Sequence, residues 1–245
     1  MAVAAVAKAA ALLRAYGPAV DVLSIRQLAA RTGIPPSTAH SIVVTLCSTG
    51  LLDAVPGRGY RLGSALVGLA GPVIERTGLV AAVEGAAAAL LRVPGQEVHV
   101  GQLVGAWVVY LHRATGRVRA PMDNRVGLRA FAWRGGCGKA ALSRLPDAEV
   151  DSRIGQLCKE EGAPLPDLDT LHAELDSARR DGWLTSTSFQ LGRTSVAAPV
   201  VDAMGRPVGG LSVAGPDALF TRDVVRRLGP EVAEVAARAG RRLDC

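Results

Sequence analysis

The residues most suggestive of chemistry lie in "RGGCGKAAL", Arg134 to Leu142, where three glycines surround a cysteine and a lysine follows. A phosphate-binding P-loop would need a glycine five positions before Gly138 and a Ser or Thr after the lysine. Those positions hold Trp133 and Ala140, so the phosphate loop fails at both ends. What remains is a glycine-rich helix start, whose free N–H groups at Gly136, Cys137 and Gly138 favour an anion. Tight packing of a helix on a sheet would ask for the same small residues. A thiol at a helix start is also a candidate nucleophile or redox group. A nucleophile needs a base, and His99 and His112 on neighbouring predicted strands are the candidates. Nothing local brings either to Cys137, so no catalytic residue is assigned. The four cysteines, Cys47, Cys137, Cys158 and Cys245, show no CxxC spacing, and the four histidines are scattered. That argues against a zinc site or a disulfide framework, and no metal or cofactor is expected.

A second cluster points to nucleic acid. In "LAARTGIPPSTAHSIVVTL", Leu28 to Leu46, a helix led by the Ser24–Gln27 capping-box pattern ends at Gly33, and Pro35-Pro36 starts another. The second helix turns Ala39, Ile42, Val43 and Leu46 inward. Ser37, Ser41 and Val44 lie opposite, flanked by Thr38, His40 and Thr45. Two helices around a short glycine turn, with a small polar outer face, form the helix-turn-helix pattern. "GLLDAVPGRGYRLG", 50–63, reads as a hairpin wing with Arg58 at its tip and Arg61 on the return strand. The recognition helix carries no Lys or Arg. Base reading is therefore expected from Ser37, Thr38, His40 and Ser41, and phosphate anchoring from Arg26, Arg31, Arg58 and Arg61.

The charge distribution agrees. The 245 residues carry a net charge of +6, and residues 1–70 hold six basic side chains against Asp21 and Asp53. A basic short end on a near-neutral body suits a polyanion. The apolar N-terminus reads as a first helix over about 3–16 and not as a signal peptide. No run approaches the ~20 apolar residues of a membrane span. Both readings favour the cytoplasm.

Residues 64–92 read as helical with breaks at Gly71-Pro72 and Gly78. Strands follow in "EVHVGQLV", "AWVVYLHR" and "RVGLRAFAW", the last two separated by the loop "ATGRVRAPMDN". Helices are expected at about 136–145, 147–158 and 168–181. A hairpin of "TSVAAPVVD" and "PVGGLSVAG" and a terminal helix kinked at Gly229-Pro230 complete the chain. This is an α+β chain of two domains.

Taken together, "LAARTGIPPSTAHSIVVTL", "GLLDAVPGRGYRLGSALVGLAG", "GGCGKAAL", "ARRDGW" and "VAAPVVDAMGRPVGGLSVAGP" resemble the IclR-type (isocitrate lyase regulator) bacterial transcription factors, in that family's order. The resemblance implies a winged helix-turn-helix domain over 1–64, a linker helix over 65–80, and a GAF-like α/β effector-binding and oligomerisation domain over 81–245. It implies a homodimer or homotetramer on palindromic double-stranded operator DNA, and a small-molecule effector, often a small organic acid. By position it implies effector contacts from the amides of Gly136, Cys137 and Gly138 and from Ser195, Ser212 and Ala214. Trp107, Leu128, Phe131 and Trp133 are further candidate pocket residues. Many relatives place acidic residues where Thr185 to Gln190 carry none, so a pocket lacking that carboxylate is expected. The rival reading is a small-molecule sensor or enzyme with a vestigial DNA-binding domain.

Overall fold

The computed structural model describes residues 3–17, 21–91, 93, 95–116 and 126–243. Most of the predicted loop 114–124 and Cys245 lie outside the described residues. The chain divides into two compact units, one up to Arg76 and one from Thr77.

The first unit contains α1 (Ala4–Arg14), α2 (Ile25–Thr32), α3 (Pro36–Ser48), the hairpin β1 (Leu52–Val55) and β2 (Gly59–Leu62), and α4 (Ala65–Thr77). Ser24 Oγ accepts from Gln27 N at 3.3 Å, and Gln27 Oε1 accepts from Ser24 N at 2.8 Å. Two of the orphan amides at the start of α2 are thus satisfied. Gly33 ends α2 with φ 69°, and Pro35 is extended at ψ 138° before α3 begins at Pro36. Leu12, Leu28, Ile34, Ala39, Val43, Leu46 and Leu52 close one core. The wing is stitched to the helices: Leu23 and Tyr60 exchange two backbone bonds of 2.9 Å, and the Tyr16 hydroxyl donates to Tyr60 O at 3.0 Å. Gly59 permits this, because a Cβ there would sit 2.4 Å from Leu23 O.

α4 runs unbroken through Gly71-Pro72, where a break was expected. A proline inside a helix removes one hydrogen bond and crowds the carbonyl four residues back. Here that carbonyl belongs to Gly68, and neither Gly68 nor Gly71 brings a side chain against the proline ring. No residue of α4 is buried. The expected break at Gly78 is present, with φ 62°.

The second unit is a six-stranded antiparallel sheet in the order β5-β4-β3-β8-β7-β6. The strands are β3 (Glu97–Val104), β4 (Trp107–Thr115), β5 (Arg129–Phe131), β6 (Leu184–Ser186), β7 (Arg193–Val201) and β8 (Pro207–Pro216). Its helices are α5 (Leu79–Val83), α6 (Ala86–Ala89), α7 (Gly136–Leu142), α8 (Asp147–Glu161), α9 (Leu168–Asp181) and α10 (Arg222–Arg242). Strand alternation sorts the two faces. Val98, Val100, Val196, Ala198, Val200, Leu211 and Val213 pack against α5, α6 and α10. The opposite face receives α7, with α8 and α9 on a second cluster around Leu142, Ile154 and Leu175.

Two expectations change here. "RVGLRAFAW" shortens to the three-residue β5 and a 3-10 turn over Ala132–Arg134. Leu184–Ser186, not expected as a strand, forms the edge strand β6. As expected, one terminal helix, α10, spans Gly229-Pro230. Gly229 is needed for packing, since a Cβ there would lie 2.2 Å from the Trp183 ring.

Candidate functional site

On α3 the exposed residues are Pro36, Ser37, His40, Ser41, Val44, Thr45 and Ser48. At 100° per residue, Ser37, Ser41, Val44 and Ser48 form the centre of one stripe, with His40 and Thr45 on its flanks. Ala39, Val43 and Leu46 are buried behind it. Thr38 is half-buried at the margin, so it is the least outward of the four expected base readers.

The expected phosphate anchors divide. Arg31 Nη1 donates to Ala15 O at 2.9 Å and ties α2 to the end of α1. Arg61 lies opposite Asp53 in the hairpin register, with Nε 3.6 Å from Oδ2. Arg26 and Arg58 are exposed and have no ion pair among the described residues. Arg58 follows the Pro56-Gly57 turn, closed by its own N–H to Val55 O at 3.0 Å, which holds it at the wing tip. The wing and the start of α2 border a groove that includes Ser24, Ile25, Gly57 and Arg58.

In the second unit the sheet register assembles a polar row on the α7 face. Thr115, Glu97, Ala214, Ser195 and Ser186 follow one another across five strands. The next row holds Arg113, His99, Ser212, Ala197 and Leu184, and Arg193 shares the face by alternation from Ser195. Glu97 and His99 are fully buried, and Ser212 nearly so. Arg113 binds Glu97 bidentately, Nε to Oε2 at 2.8 Å and Nη2 to Oε1 at 2.5 Å. His99 Nε2 lies 3.6 Å from Glu97 Oε2. The expectation concerned the carboxylate of one segment, and the face carries another elsewhere. The segment Thr185–Gln190 has none, but β3 supplies one from a different strand.

α7 lies directly on this face. Cys137 packs over Gly210, and its Sγ donates to Ser212 Oγ at 3.2 Å. The thiol is 1% exposed, a packed group and not a presented nucleophile. His112, paired with Val100, belongs to the opposite face. Close approach by itself demands the glycines. A Cβ on Gly136 would meet Ser195 Oγ at 2.8 Å, and one on Gly138 would meet Ala132 O at 2.2 Å. Lys139 turns away from the helix start: its Nζ donates to Ser188 Oγ at 2.8 Å and pairs with Glu174. Ser195 Oγ donates to Ser186 O at 3.2 Å.

Of the expected pocket apolar residues, only Leu128 packs with this face, beside Val108, Tyr110, Cys137 and Phe189. Trp107, Phe131 and Trp133 form a separate stack, with ring centroids 4.7 and 4.5 Å apart. They pack against the α8–α9 cluster. Tyr110 and Phe189, meeting edge-on at 5.8 Å, are the aromatics the sequence reading missed. Glu97 was missed too, and His99 was considered only as a base for Cys137, although the alternation in "EVHV" places both opposite Val98 and Val100.

Among the described residues no group of His, Cys, Asp and Glu could hold a metal ion, and no single helix is long and apolar enough to cross a membrane.

Comparison with known proteins agrees with this geometry. Residues 5–56 match the IclR helix-turn-helix domain, and residues 72–241 match the bacterial transcriptional regulator IclR C-terminal domain. The HTH-type transcriptional regulator KipR of Bacillus subtilis is 25% identical over 90% of each chain. XynR of Escherichia coli is 29% identical over 85% of this chain and 84% of its own. The crystal structure of Thermotoga maritima IclR superposes with a TM-score of 0.71 at 22% identity, covering 98% of this chain and 97% of that one. An IclR homologue from Microbacterium hydrocarbonoxydans, complexed with 4-hydroxybenzoate, superposes at 0.77 with 19% identity, covering 98% and 99%. With both family domains matched in order along the chain, the protein belongs to the IclR family of bacterial transcriptional regulators, with a helix-turn-helix DNA-binding domain and a C-terminal effector domain.

Proposed function

We propose that this regulator acts in the cytoplasm as a homodimer or homotetramer on palindromic operator DNA, with no enzymatic step, and that its effector is a small organic anion held on the α7 face of the sheet. Ser37, His40 and Ser41 of α3 read bases, with Thr38 at the edge. Arg26 and Arg58 provide most of the phosphate attraction, and Arg61 less because Asp53 opposes it. Val67, Leu69 and Val73 of α4 are exposed at 74%, 64% and 48%, an apolar surface suited to self-association.

The observation that carries the effector reading is the charge on the α7 face. Two guanidinium groups, Arg113 and Arg193, lie on it beside the carboxylate of Glu97, and the start of α7 adds its amides, a place suited to an anion. Ser195, Ser212, Ala214 and the amides of Gly136, Cys137 and Gly138 border that place. The 4-hydroxybenzoate recorded with a neighbour in fold puts aromatic acids among the first to test. Coupling to DNA requires the effector to bind one arrangement of the subunits more tightly than another.

Two measurements test the proposal. A gel shift with the DNA upstream of the protein's own gene is expected to show specific, salt-sensitive binding; its absence favours a sensor or enzyme with a vestigial DNA-binding domain. A thermal-shift screen is expected to find stabilisation by a carboxylic acid and none by the matching amide. Equal stabilisation by the amide would overturn the anion assignment.

A further inference from the structure

The hydroxyls along the middle of α3 are turned onto their own helix. Ser41 Oγ donates to Ser37 O at 3.2 Å, Thr45 Oγ1 to Ser41 O at 3.2 Å, and Ser48 Oγ to Thr45 O at 2.8 Å. A hydroxyl has one hydrogen to give. Once it is given to the backbone, only oxygen lone pairs face outward. Val44 stands between these hydroxyls, 51% exposed and outside the core of the first unit, a branched aliphatic side chain on a polar stripe. Beyond Pro36 to His40, which include the possible donors Ser37 and His40, the outward surface of α3 therefore offers acceptors and methyl groups and no donor.

The major-groove edges of the bases respond differently to such a surface. Guanine presents two acceptors there, N7 and O6, which need donors. Adenine and cytosine present amino groups, and thymine presents a methyl. We infer that Val44 is a base-reading residue that recognises a thymine methyl, and that Ser41 and Thr45 beside it accept from adenine or cytosine amino groups. The middle turns of α3 thus select thymine-containing steps and do not read guanine. This rests on the assignment of α3 as the helix that enters the groove, and extends it to a residue and a base. The absence of Lys and Arg from the helix becomes the basis of its selectivity: a long cation would reach guanine and hold the helix off the thymine methyl.

The test uses the full-length protein and an operator duplex obtained by selection from random DNA. Each thymine in one half-site is replaced in turn by deoxyuridine, which removes only the methyl. The expected result is a loss of about three- to five-fold at one or two positions, the scale of one buried methyl. In Val44→Ala the thymine and deoxyuridine duplexes should bind alike, whereas Val44→Thr, which keeps one methyl, should retain part of the difference. Arg58→Ala should weaken both duplexes and preserve their ratio. Insensitivity of the wild type to every deoxyuridine, or a full difference surviving in Val44→Ala, overturns the inference while leaving specific DNA binding intact. Failure to select any operator overturns the groove assignment and the inference with it.

Discussion

Arg113 holds the carboxylate of Glu97 through two parallel N–H bonds from a neighbouring strand, one strand diagonal away, with the carboxylate fully buried and the guanidinium 16% exposed. Two charges removed from water this far are tolerated only while they satisfy each other. Glu97→Gln should therefore cost about 3–5 kcal/mol, because it leaves a largely buried guanidinium without its counter-charge. The apolar double replacement Glu97→Leu with Arg113→Met should recover most of the loss. All three tryptophans, Trp107, Trp133 and Trp183, lie in the second unit, so urea unfolding followed by their fluorescence reads this unit alone. A double variant as unstable as the single one would show that the pair is not the origin of the cost.

The arginines of the wing should separate in their salt dependence. Arg58 has no ion pair, whereas Arg61 faces Asp53 at 3.6 Å. Arg58→Ala should lower the slope of log K against log salt by about 0.9 per half-site, the signature of one lost phosphate contact. Arg61→Ala should lower it by less, and Asp53→Ala should strengthen binding. Equal slopes for Arg58→Ala and the wild type would remove Arg58 from the phosphate contacts.

Two helical glycines should respond in opposite directions. Gly138→Ala on α7 would bring a Cβ to 2.2 Å from Ala132 O, a backbone atom that cannot swing away. Overpacking of this kind costs about 1–3 kcal/mol. Gly155 on α8 has nothing within 4 Å and ordinary helical geometry, so Gly155→Ala should stabilise by about 0.5–1 kcal/mol. A stabilised Gly138→Ala would contradict the close approach of α7 to the turn before it.

Alkaline pH should loosen the first unit through Tyr16. Burial, with the neighbouring Cys47 and Tyr60 adding to it, pushes the Tyr16 phenol up to about 12 from an ordinary value of 10.0. A raised value means the folded state holds the proton more tightly. The stabilisation is complete below pH 10 and is lost as pH rises from 10 towards 12. Tyr16→Phe should lose about 1 kcal/mol at neutral pH with the bond to Tyr60 O, and should show a shallower decline above pH 10. Tyrosinate absorbance gives the titration directly; a Tyr16 that titrates with the bulk of tyrosines would refute this.

What the sequence determined by itself is whatever is encoded locally. The capping box at Ser24 and Gln27, the left-handed Gly33, the proline start of α3 and the Pro56-Gly57 turn of the wing each depend on residues a few positions apart. Spacing alone therefore placed the helix-turn-helix, the wing and the outward stripe of α3. Alternation likewise placed Ser212 and Ala214 on one face of β8. Gly71-Pro72 was read as a break by the same local rules, and α4 continues through it. Propensity is a small energy that solvation of an exposed carbonyl can offset. Only the tertiary structure decided the chemistry of the second site. Glu97 meets Arg113, Cys137 meets Ser212, and Lys139 meets Ser188 across separations of 16, 75 and 49 residues. Such pairs are set by strand order and register, which no local pattern specifies. The same long-range packing turned Trp107, Phe131 and Trp133 away from the α7 face and brought Tyr110 and Phe189 to it.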